Sequence, residues 1–302
     1  MTTNRLRGSI VPMVTPFTDD NRVDHESLRR LIEWQIREGS HGISVTGTTG
    51  EPSSLTLEER SAVMETAIHT VRGQVPVVPA TGSINLEETL YLTHRAEELG
   101  ADAVLVIVPY YNRPSQEGLY QYFTTVARSV NVPVIVYNIP GRTATNMEPE
   151  TLKRIRQTAE NVVGVKESNR DFEQVTRVLS LLGRDFLVYS GIESLCFPML
   201  AVGGAGHISA TANLLPKKVA DLYNLGAEGR WVEARDIHYE LFPLNDVLFI
   251  ETNPGPLKAA MGMMGLIRPH LRLPLSDVSD EHRMSISAVL TQYRLLPEGR
   301  VN

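Results

Sequence analysis

Apolar residues gather in eight short runs separated by longer amphipathic stretches. The runs are "GSIVPMVTPF" from Gly8, "GISVTGTTGE" from Gly42, "PVVPATGS" from Pro76, "AVLVIVPYY" from Ala103, "PVIVYNIP" from Pro133, "VVGVKES" from Val162, "FLVYSGIE" from Phe186 and "GHISATA" from Gly206. They are rich in Val and Ile and lack a clean period of two, which predicts strands buried on both faces, as in a parallel sheet. Between them the period turns helical: Leu28, Leu31, Ile32 and Ile36 share one helix face. Thr56 with Glu59, Asn85 with Glu88 and Asp171 with Gln174 have the spacing of N-terminal capping boxes, each shortly after a strand. Strands alternating with helices read as repeated βα units, and eight units predict a (β/α)8 barrel over about residues 8–225, within a catalytic span of 1–225. A doubly wound open sheet is the alternative, but it usually carries a Gly-rich loop after the first strand, and Val11–Phe17 has none. Residues 226–302 read as helical, with no Ser/Gly- or Pro-rich linker before them, which predicts a C-terminal helical extension packed on the barrel.

Charge and composition narrow the function. A net charge of −6 argues against a surface built to neutralise nucleic-acid phosphates. No apolar run approaches the ~18 residues of a membrane span, and Met1–Arg7 lacks the apolar core of a signal peptide. The single cysteine, Cys196, cannot form an intrachain disulfide, so the cytoplasm is the expected compartment. The histidines form no His-x-x-His or His-x-x-x-His pair, and His207 reads as a packing residue, so neither a metal nor another cofactor is expected. No Gly-Xaa-Ser-Xaa-Gly elbow is present, which argues against a serine hydrolase.

A barrel carries its active site at the carboxyl ends of its strands. Here those ends are Thr15, Thr46–Glu51, Thr81-Gly82, Tyr110-Tyr111, Tyr137-Asn138, Lys166–Ser168, Ser190-Gly191 and Ile208-Ser209. Lys166 stands out because it ends an apolar run, whereas the other four lysines sit in polar or helical-looking segments. A lysine driven neutral by its surroundings can attack a carbonyl and form a Schiff base; the alternative is a structural lysine paired with Glu167. In Gly47-Thr48-Thr49-Gly50-Glu51, glycines flank a tight turn whose N–H groups and hydroxyls suit a carboxylate or phosphate, although a plain turn fits equally. Tyr137, helped by Tyr110 and Tyr111, could relay protons near Lys166, and Arg142 could clamp a carboxylate through two N–H groups. The bland alternatives are rim packing for the tyrosines and a surface-loop role for the arginine.

Gly47–Glu51, Pro109–Asn112, Tyr137–Thr143 and Gly164–Glu167, in this order and spacing, resemble the superfamily of Schiff-base pyruvate aldolases that includes dihydrodipicolinate synthases and N-acetylneuraminate lyases. The likeness extends to Glu251–Pro256 and covers nearly the whole chain. It implies a (β/α)8 barrel with a C-terminal helical extension, assembled as a homotetramer of tight dimers, with small-molecule substrates and no nucleic-acid or membrane partner. By the same resemblance Lys166 condenses with pyruvate, and Thr48 and Thr49 hold the pyruvate carboxylate with help from the backbone near Ile208. Tyr137 guides imine formation and moves protons. Tyr111 enters from the neighbouring subunit to complete a Thr48–Tyr137–Tyr111 relay. Arg142 receives the carboxylate of the aldehyde partner, and Gly191 stands with the substrate-binding positions.

Gly141-Arg142-Thr143 is similar to the synthase branch, which implies condensation of pyruvate with aspartate semialdehyde to 4-hydroxy-tetrahydrodipicolinate, a step toward lysine or cell-wall precursors. Pro52 and Gly191-Ile192-Glu193 depart from the usual synthase pattern, and Leu57 and Ile84 replace polar residues typical of lysine-inhibited members, so strong lysine feedback is not expected. The alternative is a catabolic 2-oxo-acid aldolase with the same imine chemistry, for example one cleaving 2,4-dihydroxyhept-2-ene-1,7-dioate to pyruvate and succinate semialdehyde. A barrel that only senses a 2-oxo acid would need no proton relay. A phosphosugar isomerase would need a phosphate loop after the seventh or eighth strand, for which Ala201–Ser209 is a faint candidate.

Overall fold

The computed structural model describes residues 3–297, so the outermost positions of the expected spans, 1–2 and 298–302, lie outside the described residues. Seven of the eight apolar runs form strands: β1 (Gly8–Pro12), β2 (Gly42–Ser44), β3 (Val104–Ile107), β4 (Val134–Asn138), β5 (Val162–Glu167), β6 (Leu187–Ser190) and β7 (Gly206–Ile208). All neighbours pair in parallel, in the order β2-β1-β7-β6-β5-β4-β3. The run from Pro76 departs from expectation. It forms no regular strand, only isolated parallel bridges, Val77 to Ile43 and Ala80 to Leu105. Pro76 and Pro79 have no N–H to give a ladder. Their carbonyls still accept from Ile43 N–H at 2.9 Å and Leu105 N–H at 2.9 Å, while Val78 and Ala80 N–H donate to Ile43 and Val45 at 2.8 Å. This segment therefore joins the two sheet edges into a ring.

Helices clothe the ring: α1 (His25–Arg37), α2 (Leu57–Val71), α3 (Leu86–Leu99), α4 (Gln116–Arg128), the single turn α5 (Pro140–Thr143), α6 (Pro149–Thr158), α7 (Phe172–Leu182), α8 (Cys196–Ala201) and α9 (Pro216–Ala227). Leu28, Leu31 and Ile32 are buried on α1 as the spacing required. Only one of the three expected capping boxes has both arms. Thr56 Oγ1 accepts Glu59 N–H at 3.2 Å, and Glu59 Oε2 accepts Thr56 N–H at 3.0 Å. Asn85 and Asp171 cap α3 and α7 with their own side chains, but Glu88 bonds Ser83 and Gln174 turns to Glu167 and Asn146 instead.

Two apolar clusters follow from the alternation of strand side chains. One fills the ring interior with Ile10, Leu105, Ile135, Tyr137, Val163, Leu187, Tyr189 and Ile208. The other lies between ring and helices and continues without a break into the C-terminal helices α10 (Trp231–Val247), α11 (Gly255–Met263) and α12 (Asp280–Gln292), through Leu244, Leu257, Met261, Ile286 and Leu290. Among the described residues, no helix is long and apolar enough to cross a membrane.

Strand β5 breaks the alternation where it matters. Val163 packs in the ring interior, yet Val165, two residues on, packs outside. The register slips between Val134 and Ile135, which pair with Val162 and Gly164, leaving Val163 as an extra residue. Gly164 permits this close approach, since a methyl group there would lie 2.4 Å from Leu187 O. With the face switched, Lys166 turns inward.

Candidate active site

The slipped register brings Lys166 level with Tyr137 on the neighbouring strand. Lys166 is 6% exposed, and its Nζ sits 4.2 Å from the centre of the Tyr137 ring. Glu167, the partner offered by the structural reading of this lysine, is engaged elsewhere. Its oxygens accept from Asn138 Nδ2 at 3.0 and 3.1 Å, from Asn169 N–H at 2.8 Å and from Gln174 Nε2 at 2.9 Å. Burial still pushes the Glu167 carboxyl upward, against these donors. At the end of β6, the strand paired with β5, Gly191 packs directly on the lysine stem: a methyl group there would fall 2.6 Å from Lys166 Cε. Glu193 is buried nearby and accepts Ala210 N–H at 2.8 Å. Burial raises its pKa as well, with the Lys166 charge opposing.

The loop after β2 is bracketed by two non-glycine residues in left-handed backbone, Thr46 (φ 57°) and Glu51 (φ 55°). Such residues persist where their surroundings over-determine them. Thr46 Oγ1 donates to Ala80 O at 2.8 Å, and Glu51 forms an ion pair with Lys258. Between them Thr48–Gly50 make one 3-10 turn, closed by Gly50 N–H to Gly47 O at 2.8 Å. Thr48 Oγ1 stands 3.5 Å from the Tyr137 hydroxyl, at the outer limit of a hydrogen bond. Thr49 Oγ1 accepts from Asn253 Nδ2 at 3.1 Å, and the Asn253 carbonyl accepts from Arg142 Nη2 at 3.1 Å. Asn253 thus joins two residues that the sequence points to separately.

The mouth opens into a cavity of about 730 Å³ lined by Thr48, Glu51, Arg60, Tyr110, Tyr137 and Arg142, among others. Lys166 and Gly191 do not line this cavity; Lys166 reaches its wall through the Tyr137 ring, with Gly191 on the lysine stem, Thr48 at the Tyr137 hydroxyl, and Thr49 and Arg142 linked through Asn253. Ile208 ends β7 in the same interior cluster as Tyr137. Tyr111 is set apart: it is 90% exposed, in left-handed backbone (φ 68°), and among the described residues makes no hydrogen bond to Thr48 or Tyr137. Tyr110 lines the cavity in its place.

Three features escape a reading of the sequence. Lys258, one of the lysines read as lying in a helical segment, is more deeply buried than Lys166, at 0% exposure. Burial draws its pKa down to about 8, against the pull of Glu51. Arg60 lies enclosed beside the cavity with Nη2 on Ala80 O at 3.0 Å, and burial lowers its pKa to about 10. The amide cage around Glu167 is the third. A charged residue inside an apolar helical stretch, Pro256–Gly265, was the available signal for Lys258. Cys196 is inert by the same physics, its thiol pushed well up by burial.

Comparison with known proteins agrees with this geometry. A sequence profile of the dihydrodipicolinate synthetase family matches residues 5–293. A 4-hydroxy-tetrahydrodipicolinate synthase of Thermus thermophilus is 47% identical over 296 residues, covering 98% of this chain and 99% of that protein. The same-named protein of Aquifex aeolicus is 43% identical over 290 residues, covering 96% of this chain and 98% of its own length. The crystal structure of dihydrodipicolinate synthase from Aquifex aeolicus superposes with a TM-score of 0.95 at 42% identity, covering 97% of this chain and all (100%) of that one.

Proposed function

The chain belongs to the dihydrodipicolinate synthetase family, and from that membership and the site geometry we propose that it condenses pyruvate with aspartate semialdehyde to give 4-hydroxy-tetrahydrodipicolinate. The observation that carries the reading is Lys166, enclosed at the end of β5 with its amine on the Tyr137 ring and Thr48 beside the Tyr137 hydroxyl. A catabolic aldolase of the same chemistry is not favoured, because relatives matching over nearly their full length carry the synthase name.

In the proposed course, the Lys166 amine adds to the pyruvate ketone and expels water, leaving an imine. The hydroxyls of Thr48 and Thr49 and the backbone near Ile208 receive the pyruvate carboxylate. Tyr137 carries the protons of carbinolamine collapse and enamine formation, a relay typically worth ~10²–10⁴-fold. The enamine carbon attacks the aldehyde, whose own carboxylate Arg142 binds, forming the new carbon–carbon bond. The amino group then displaces Lys166 from the imine carbon, closing the ring and freeing the lysine. One water is released overall and no redox partner is consumed.

The exposure of Tyr111 next to the cavity-lining Tyr110 supports a homotetramer, a dimer of dimers, in which this residue completes the relay of a neighbouring copy. The apolar cluster shared between ring and C-terminal helices supports a (β/α)8 barrel (1–225) and a helical extension (226–302) working as one catalytic unit. The single buried cysteine fits a cytoplasmic location.

The test is the initial rate with pyruvate and aspartate semialdehyde, coupled to dihydrodipicolinate reductase and followed at NADPH absorbance. A rate that disappears in Lys166→Ala supports the assignment. No rate, in protein that borohydride still locks to pyruvate, would transfer it to an aldolase with another aldehyde.

A further inference from the structure

Glu51 and Lys258 take no part in the reaction as drawn, yet theirs is the only ion pair among the described residues with both side chains at 0% exposure. Stability is a weak reason to keep such a pair, because apolar replacements of similar volume are often neutral or better. Its position supplies a stronger one. Glu51 closes the turn that carries Thr48 and Thr49, in a backbone conformation that needs an anchor. Lys258 is held rigidly to provide it. Its amine donates to His270 O at 2.9 Å and lies 4.1 Å from the centre of the Phe17 ring. Arg272 stacks on that same ring, 4.4 Å from its centre, and is fixed by both oxygens of Glu59 at 2.7 Å. The second Glu51 oxygen accepts Arg272 N–H at 3.3 Å. Lys258 belongs to the first turn and a half of α11, and Asn253, just before that helix, grips Thr49. One segment of the helical extension therefore holds the loop at two points.

We infer that the Glu51–Lys258 pair is a positioning device that sets the Thr48–Thr49 turn, and with it the pyruvate carboxylate site, from the C-terminal helices. The inference rests on the proposed function. Breaking the pair lets the turn relax and moves the Thr49 hydroxyl, while Lys166 stays held on β5, paired between β4 and β6. The loss therefore falls on pyruvate binding more than on the chemical step.

The experiment compares Glu51→Gln, Lys258→Met, Glu51→Asp and the double variant Glu51→Gln/Lys258→Met with the wild-type enzyme. Pyruvate KM, aspartate semialdehyde KM, kcat and borohydride trapping of pyruvate on Lys166 are measured, with thermal midpoints alongside. The expected result is a pyruvate KM raised about tenfold or more in the three neutralising variants, with kcat at saturating pyruvate within about threefold, the signature of lost binding. Glu51→Asp, which keeps the charge, recovers part of the loss. If the single variants do not fold, the double variant decides, since it leaves no unpaired buried charge. Folded variants with pyruvate KM within twofold of wild type overturn the inference. Failure of the wild-type enzyme to trap pyruvate would instead overturn the function on which it rests, and the two failures are read from different proteins.

Discussion

Gly191→Ala adds one methyl group where the structure has no room, at a place where the fold can yield and the chemistry cannot. The new carbon would lie 2.6 Å from Lys166 Cε, 3.2 Å from Lys166 Cγ and 2.1 Å from Ser168 Oγ. The backbone of Gly191 lies outside the left-handed region, so alanine brings no conformational penalty of its own. Gly191 N–H donates to Glu167 O at 2.8 Å, which holds the strand end in place. The side chains must therefore give way. Ser168 Oγ is buried without a partner and can rotate off. Carbon atoms settle at about 3.5–4.0 Å, so Lys166 Cε must retreat by about 1 Å. A lysine stem bends cheaply, and the thermal midpoint should move by only a few degrees. A misplacement of about 1 Å at a reacting group costs about 10²-fold in rate, which is about 2.7 kcal/mol of transition-state stabilisation. The assays are the coupled condensation rate and the rate at which borohydride captures pyruvate. Both should fall together while the protein stays folded. A Gly191→Ala enzyme with kcat/KM within threefold of wild type would refute the argument that Lys166 is aimed by the closeness of Gly191.

Tyr137→Phe keeps the ring under the lysine amine but removes the hydroxyl that faces Thr48. Its kcat should drop about 10²–10⁴-fold with the thermal midpoint retained, and a drop below threefold would remove Tyr137 from the relay. His207 is fully buried, bonds Val219 O through Nε2 at 3.1 Å, and has its pKa lowered by burial to about 4 from 6.5. Between those values the unfolded chain takes up a proton that the folded chain refuses. His207 therefore leaves stability unaffected above pH 6.5 and lowers it as pH falls toward 4, by about 1.4 kcal/mol per unit. His207→Gln should flatten that slope in urea midpoints taken between pH 4 and 7, and equal slopes would contradict the assignment. Lysine should not inhibit at micromolar concentration, because Leu57 and Ile84 put apolar surface on the cavity; a micromolar titration curve would show this reading to be mistaken.

The catalytic candidates were legible because a parallel barrel sends its chemistry to strand ends, and strand ends are visible as polar residues closing apolar runs. Lys166, Tyr137 and Thr48 were found that way. The reason Lys166 faces inward was not visible in the same letters. A regular strand would put Val163 and Val165 on one face and send Lys166 to the other side from them both. Only the slip opposite Gly164, where Leu187 O leaves no space for a side chain, places Val163 and Lys166 together inside. The third apolar run erred in the opposite direction: its Val residues suggest a strand, while Pro76 and Pro79 reduce it to two bridges that nevertheless close the ring. Local spacing was equally partial for the caps. Glu88 and Gln174 stand at the right distance from Asn85 and Asp171, but Ser83 and the Glu167 cage offered them other partners.

Lys258 shows where such reading must stop. The apolar stretch Pro256–Gly265 hints at its burial, but nothing within ten residues of it supplies its partners: the carboxylate is Glu51, on the far side of the chain, and the ring beneath it is Phe17. Residues that do chemistry can be recognised by type and by their place at a strand end. Residues that hold them in position are defined by what they meet in space, and this chain gathers those partners from the first strand's loop, the second strand's turn and the C-terminal helices. A barrel without that helical segment would keep Lys166 and Tyr137 on their strands but lose both grips, at Asn253 and Lys258, on the turn that carries Thr48 and Thr49. The turn after the second strand is thus held from the C-terminal helices, at Thr49 by Asn253 and at Glu51 by Lys258, and not by the strand ends alone.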